Sequence, residues 1–163
     1  MDDPMIRFRP SPETLLIRLA QSSDAAAISA MVIAAIRQTN AADYPPAIIE
    51  GLAAEFSGEE VIAKMARRKT LVAIVSGAIA GTAALEAAKV QAVFVAPGLQ
   101  RMGIGSALMD EIEHMASCAR CSQVALWSSL TARDFYAKRG YVTLAPQVHR
   151  EVATVLMRKS LIR

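Results

Sequence analysis

The sequence predicts an α/β domain of the α+β kind, a single mixed and mostly antiparallel sheet of about six to seven strands with helices on both faces. Three observations predict it. The stretch from Thr70 to Val95 reads as consecutive strands joined by tight turns. Amphipathic helical stretches precede it, and a strand, helix, strand order follows it. No repeat, low-complexity stretch or long linker divides the chain. With 163 residues, 53% hydrophobic and 20% charged, the chain can bury one core without disulfide or metal staples.

Residues 1–13 hold acids, arginines and prolines but no apolar h-region, so they read as a disordered lead-in without a secretory signal. The expectation is a cytoplasmic protein whose one domain covers residues 14–163. Thr14 to Ala20 reads as the first strand. Ser22, Ser23 and Asp24 offer capping side chains for a helix through about Arg37. Asp43, Tyr44 and two prolines make a loop of Asn40 to Pro46, placed to border a substrate site. A short helix carrying Ile48, Ile49, Leu52 and Phe56 follows. Ser57 and Glu60 then match a capping box for a helix to about Arg68.

Three antiparallel strands come next: LVAIV, the Ser76-Gly77 turn, AIAGTAALE, a break near Ala87 and Ala88, then KVQAVFV. Pro97 and Gly98 end the third. From about Arg101 to Ser117, Ile104, Ala107, Leu108, Ile112 and Met115 recur at helical spacing. VALW at 124–127 is continuously apolar, as in a strand covered on both faces, and so closes a right-handed βαβ unit. A helix from about Thr131 to Arg139 stops at Gly140, Tyr141 to Leu144 resumes as strand, and Glu151 to Met157 reads as the last.

Several function classes lose ground. No apolar run is long enough to span a bilayer, so no membrane partner is expected. The net charge of +3 is spread along the chain, with Arg67, Arg68 and Lys69 as the local cluster, so nucleic acid is not expected either. Cys118 and Cys121 with His114 have the makings of a metal or redox site, but they fall at a helix end, where two reduced cysteines near a turn is the simpler reading; no metal is expected. His114 sits on a polar helix face and His149 has no nucleophile partner, so no triad is read.

The informative stretch is VFVAPGLQRMGIGSALMDEIE, in which a strand ends, a glycine-containing turn follows and a long amphipathic helix begins. Such a helix start has unpaired N–H groups and about half a positive charge. Gly103 and Gly105 lack the Cβ atoms that would hold a phosphate away. The spacing fits neither the dinucleotide fingerprint nor a P-loop.

Gln100-Arg101-Met102-Gly103-Ile104-Gly105-Ser106-Ala107-Leu108 resembles the Arg/Gln-x-x-Gly-x-Gly/Ala signature of the GCN5-related N-acetyltransferases (GNAT family). Val93-Phe94-Val95-x-Pro97 before it is similar to that family as well, and so is Ser129-Leu130-Thr131-Ala132-Arg133-Asp134-Phe135-Tyr136 running to Gly140-Tyr141. The resemblance implies a GNAT fold in which a splayed parallel strand pair holds acetyl-coenzyme A as co-substrate. Val93, Phe94 and Val95 would bond its pantetheine arm, the turn from Gln100 through Ser106 its pyrophosphate, and Ser129, Ala132 and Phe135 would flank the thioester end. It further implies transfer of the acetyl group to a primary amine of a small molecule or peptide in a ternary complex.

Tyr136 is the general-acid candidate, since a phenol of pKa about 10 keeps its proton at neutral pH and can give it to a departing thiolate. Where many relatives carry an acid on the strand before the signature, this chain has Gln91. Glu86 is the candidate to act as base through water, with Asp43, Tyr44 and Glu50 as further groups that would reach from the loop. Two alternatives stand: an acyl-coenzyme-A-binding module without turnover, and a regulatory or interaction protein using its basic surface. Monomer and homodimer are equally compatible with the sequence.

Overall fold

The computed structural model describes residues 14–149 and 152–162, so the lead-in expected over residues 1–13 lies outside the described residues. The strands are β1 (Leu15–Leu19), β2 (Lys69–Val75), β3 (Ala78–Glu86), β4 (Lys89–Val95), β5 (Gln123–Ser128), β6 (Val142–His149) and β7 (Val152–Ser160). The helices are α1 (Ala25–Thr39), α2 (Pro46–Ala54), α3 (Gly58–Met65), α4 (Ile104–Cys118) and α5 (Arg133–Lys138). One seven-stranded sheet has the order β1-β2-β3-β4-β5-β7-β6. Every neighbouring pair is antiparallel except β4 and β5, which run parallel.

Alternation along the strands decides which helix lies on which face. Val72 packs with Ile28, Val32 and Ile36 of α1 and Val61 of α3. Its neighbours Leu71 and Ala73 point the other way, into the layer formed by Ile104, Leu108 and Ile112 of α4. Leu108 and Ile112 are fully buried, and burial of such a side chain contributes about 1.5–3 kcal/mol. Helices therefore cover both faces, as the patterning requires. Ser76 at φ 51° and Gly77 at φ 81° form the β2–β3 turn, whose twist matches a right-twisted hairpin when both central residues are left-handed.

Several boundaries differ from the sequence reading, each for a local reason. Ser22–Asp24 form a 3-10 turn before α1 instead of capping it. Asp24 is spent on the Gln21 N–H at 2.7 Å and on a fork from Arg18 at 2.7 and 3.0 Å. Half of the expected capping box forms, with Ser57 Oγ accepting from the Glu60 N–H at 3.3 Å. Phe56 falls past the end of α2, where its carbonyl accepts from Ser29 Oγ and its ring meets Phe94 edge-on at 5.3 Å. Helix α3 stops at Met65, three residues short of Arg68, with Ala66 as its C-cap. Helix α4 begins at Ile104 and not at Arg101, since Arg101 (φ 62°) and Gly103 (φ 84°) are left-handed and cannot join a right-handed helix. Strand β6 continues beyond Leu144 through Pro146. Its place at the sheet edge tolerates the missing N–H. Among the described residues no helix is long and apolar enough to cross a membrane.

Candidate active site

One extra residue in β4 creates the opening. The β3–β4 register passes from Thr82↔Phe94 to Ala84↔Gln91, so Ala92 and Val93 both stand opposite Ala83. Ala92 takes φ 50°, and a bulge of this kind bends and twists its strand. On the other side, β4 meets β5 at its start, through Lys89↔Ala125 and the Ala125 N–H donating to Ala88 O at 3.0 Å. No β4–β5 pairing continues past that point among the described residues, whereas β5 stays paired with β7 to Ser128↔Val155. The parallel strands part past Lys89, ahead of the bulge at Ala92, and Val93, Phe94 and Val95 follow on the β4 side of the opening.

Beyond Val95 the chain turns through Gly98 and Arg101, both at positive φ, into α4. Among the described residues, the main-chain N–H groups of residues 101–106 donate to no protein acceptor. The first bond into the helix is that of the Ala107 N–H to Gly103 O at 3.0 Å. Arg101, Met102, Gly103, Ile104, Gly105 and Ser106 thus present consecutive donors at the positive end of the α4 dipole, a setting that suits linked phosphates. The two glycines serve different purposes. Gly103 has open space around it and needs glycine for its φ of 84°. At Gly105 a Cβ would meet Phe135 Cζ at 3.3 Å and Val95 Cγ2 at 3.6 Å, so the missing side chain makes room for Phe135. Gln100 points elsewhere, its Nε2 donating to Thr39 Oγ1 at 2.8 Å and tying the turn to the end of α1.

The β5–α5 connection forms the opposite rim. Ser129 Oγ accepts from the Ala132 N–H at 3.1 Å, and Ala132 is the N-cap of α5. From that helix Phe135 reaches Gly105, and Tyr136 packs inward with ring centroids 5.1 Å from Phe135 and 5.6 Å from Tyr141. Tyr136 is buried, which pushes its phenol above the ordinary value and keeps it protonated. Its hydroxyl has no hydrogen-bond partner among the described residues.

Residues 40–161, from the loop before α2 to the end of the sheet, match the model of the acetyltransferase (GNAT) domain. The chain belongs to the GNAT acetyltransferase family. Solved structures agree in fold. A GCN5-related N-acetyltransferase from Rhodopseudomonas palustris superposes with a TM-score of 0.84 at 27% identity, over 97% of this chain and 99% of its own. The PaiA N-acetyltransferase of Thermoplasma acidophilum, solved with coenzyme A, gives 0.77 at 19% identity over 90% and 98%. The YncA acetyltransferase fold of Salmonella typhimurium, solved with acetyl-coenzyme A, gives 0.63 at 19% over 91% and 95%. No curated protein sequence matches the chain.

Within this GNAT chain the remaining candidates fall in different places. Glu86 is exposed at the end of β3, opposite Lys89 and therefore at the closed end of β4, away from the Gly81↔Val95 pair beside the opening. Gln91 is half-buried, and its Oε1 accepts from Arg68 Nη1 at 2.9 Å. Glu50 is engaged by Arg37 on the outer surface at 3.0 and 3.1 Å. Sequence reading noted Tyr44 as a loop residue and missed what it joins. Its buried phenol donates to Ala153 O at 2.8 Å and accepts from the Leu130 N–H at 3.0 Å, while Asp43 accepts from Thr131 Oγ1. The loop before α2 is thereby pinned to the β5–α5 rim.

Away from this opening, a shallow pocket of about 250 Å³ lies between the C-terminal half of α4 and the end of β7. Glu113 there is already occupied by Lys159, Arg139 and the Tyr141 hydroxyl. Cys118 Sγ lies 3.6 Å from His114 Nε2, and both cysteines are free. No group of His, Cys, Asp and Glu among the described residues is arranged to hold a metal ion.

Proposed function

We propose that this GNAT acetyltransferase moves an acetyl group from acetyl-coenzyme A to a primary amine of a small molecule or peptide, by direct attack in a ternary complex. One observation carries the reading: β4 and β5 part beside a run of main-chain donors, residues 101–106, that have no acceptor of their own. Those N–H groups would hold the pyrophosphate, with Gln100 bracing the turn through Thr39. Val93, Phe94 and Val95 would bond the pantetheine arm through their main chain, and Ser129, Ala132 and Phe135 would flank the thioester. The co-substrate supplies the acetyl group already activated as a thioester.

Tyr136 is the general acid in this reading. Burial keeps its proton in place at neutral pH, and a thiolate forming in the same water-poor surroundings is destabilised too, so donor and recipient shift in the same direction. Glu86 fits a base less well, because the register sets it at the closed end of β4.

Ligand at about 100 times its dissociation constant adds about 2.7 kcal/mol, and for a chain of this size each kcal/mol moves Tm by about 2–4 °C. Saturating acetyl-coenzyme A is therefore expected to raise Tm by about 5–10 °C, and Gly103→Glu to abolish the rise by setting a carboxylate among the phosphate donors. Tyr136→Phe keeps the rise but slows thiol release with an accepted amine by about ten to a thousand times. No rise at millimolar ligand would refute binding, and an unchanged rate would remove Tyr136 from the mechanism. Gln91, standing where a carboxylate would serve as base, favours a second reading as a binding module without turnover. A Tm rise with no product from any amine would establish that one.

A further inference from the structure

Arg68 lies outside the proposed donor site. It sits between α3 and β2 with its guanidinium more buried than exposed, and burial pulls its pKa below the ordinary value. Its Nη1 donates to the neutral Gln91, and its Nε is buried with no partner. Among the described residues no carboxylate lies within ion-pair distance of it; Glu86 acts at longer range, and Arg67 repels. Beside it Thr70, only 7% exposed, has an Oγ1 that is likewise buried and unpartnered.

Both side chains line the same small void, whose other walls are Ile28, Val32, Phe56, Val61, Met65, the bulge residue Ala92 and Thr82, whose hydroxyl is already given to Leu71 O at 2.8 Å. A cation and a hydroxyl left unsatisfied against apolar walls are costly, and a fold that keeps them together provides a place for an anion. We propose that Arg68 and Thr70 form a carboxylate-binding niche of the acceptor site, so that the amine substrate is one bearing a carboxylate next to an apolar body. This rests on the acetyltransferase reading above.

The chemistry favours a carboxylate in particular. A guanidinium offers its Nε–H beside an Nη–H in a planar fork that matches two carboxylate oxygens, and the threonine hydroxyl adds a third donor. The void is about 10 Å³, which is room for about one water. Phe56, Met65, Arg68 and Ala92 are its half-buried members and mark its mouth. A carboxylate is larger than that void, so the niche requires Met65, which is unbranched and repacks at low cost, to move aside on binding. Ala92 also belongs to the β3–β4 bulge, on the part of β4 that no longer pairs with β5, so an amine a few bonds from that carboxylate stands on the stretch of β4 that borders the acyl slot.

The test compares acids with their amides: leucine with leucinamide, phenylalanine with phenylalaninamide, and glycyl-leucine with glycyl-leucinamide. Acetyl-coenzyme A is the donor and thiol release the readout. Wild type is expected to favour the acid in at least one pair by about 10–100-fold in kcat/KM, the scale of hydrogen bonds to a charged group. In Arg68→Met that ratio falls towards one. Equal use of acid and amide by wild type, or a preference surviving in Arg68→Met, overturns the niche.

A binding arm needs no turnover. N-acetylleucine should raise the Tm of wild type but not of Arg68→Met, with N-acetylleucinamide inert in both. If Arg68→Met does not fold, Arg68→Lys and Thr70→Val take its place, each expected to weaken the preference and the Tm rise. No rise with N-acetylleucine would mean a water site only and would sink the proposal. Absence of turnover with every amine would overturn the transferase reading instead, leaving the N-acetylleucine arm to decide the niche.

Discussion

Tyr44→Phe isolates the contact that joins the loop before α2 to the β5–α5 connection. The ring stays, so packing is conserved and no cavity forms. What disappears is one oxygen that donates to Ala153 O at 2.8 Å and accepts from the Leu130 N–H at 3.0 Å. A lost hydrogen bond costs about 0.5–1.5 kcal/mol, and an orphaned buried group costs more. Leu130 and Ala153 are both exposed residues, so water recovers part of the loss and the lower range applies to each bond. The sum is about 1–3 kcal/mol, which at about 2–4 °C per kcal/mol predicts a Tm lower by about 2–12 °C. Leu130 follows Ser129, so the same change should raise the KM for acetyl-coenzyme A several-fold while leaving the Tyr136 hydroxyl in place. Thermal melts and steady-state thiol release measure the two effects. A Tm within about 1 °C of wild type, together with an unchanged KM, would refute the reasoning, because the bridge would then be carrying neither stability nor position.

Two further changes probe the scaffold. Gly81→Ala puts a Cβ at 3.0 Å from both Leu108 Cδ1 and the Phe94 carbonyl and 3.1 Å from Ile104 Cγ2; the carbonyl cannot yield, so chemical denaturation should show a loss of about 1–3 kcal/mol, and an unchanged midpoint would contradict the close approach of β3, β4 and α4. Asp24→Asn tests linkage. The Arg18 fork is the main cause holding the Asp24 carboxyl below its ordinary value, with the Gln21 N–H assisting. A carboxylate depressed in the folded state stabilises above its unfolded pKa of about 4, and that contribution is lost as pH falls through the lower folded value. The variant should therefore melt below wild type at neutral pH, and the gap should close in acid; a gap of constant size in melts down to about pH 2.5 would assign it to something other than ionisation.

What the sequence disclosed and what it withheld follow from the range of the interactions involved. The strands from Lys69 to Val95 and the helix carrying Leu108 and Ile112 were legible because their patterns repeat over a few residues, and periodicity is a local property. The start of α4 was misplaced because left-handed Arg101 looks like any other arginine until the turn is built. Gly103 and Gly105 look alike in a motif, yet one is required by its own backbone angle and the other by a phenylalanine thirty positions on. The long-range contacts around the opening are of this second kind: Tyr44 to Leu130, Asp43 to Thr131 and Arg68 to Gln91 each join segments whose meeting depends on sheet order and on one bulge in β4. The donor side of a GNAT enzyme needs main-chain amides and shape, which a short motif can encode. Recognition of an acceptor needs particular side chains brought together from distant strands and loops, which no motif of a few residues can encode.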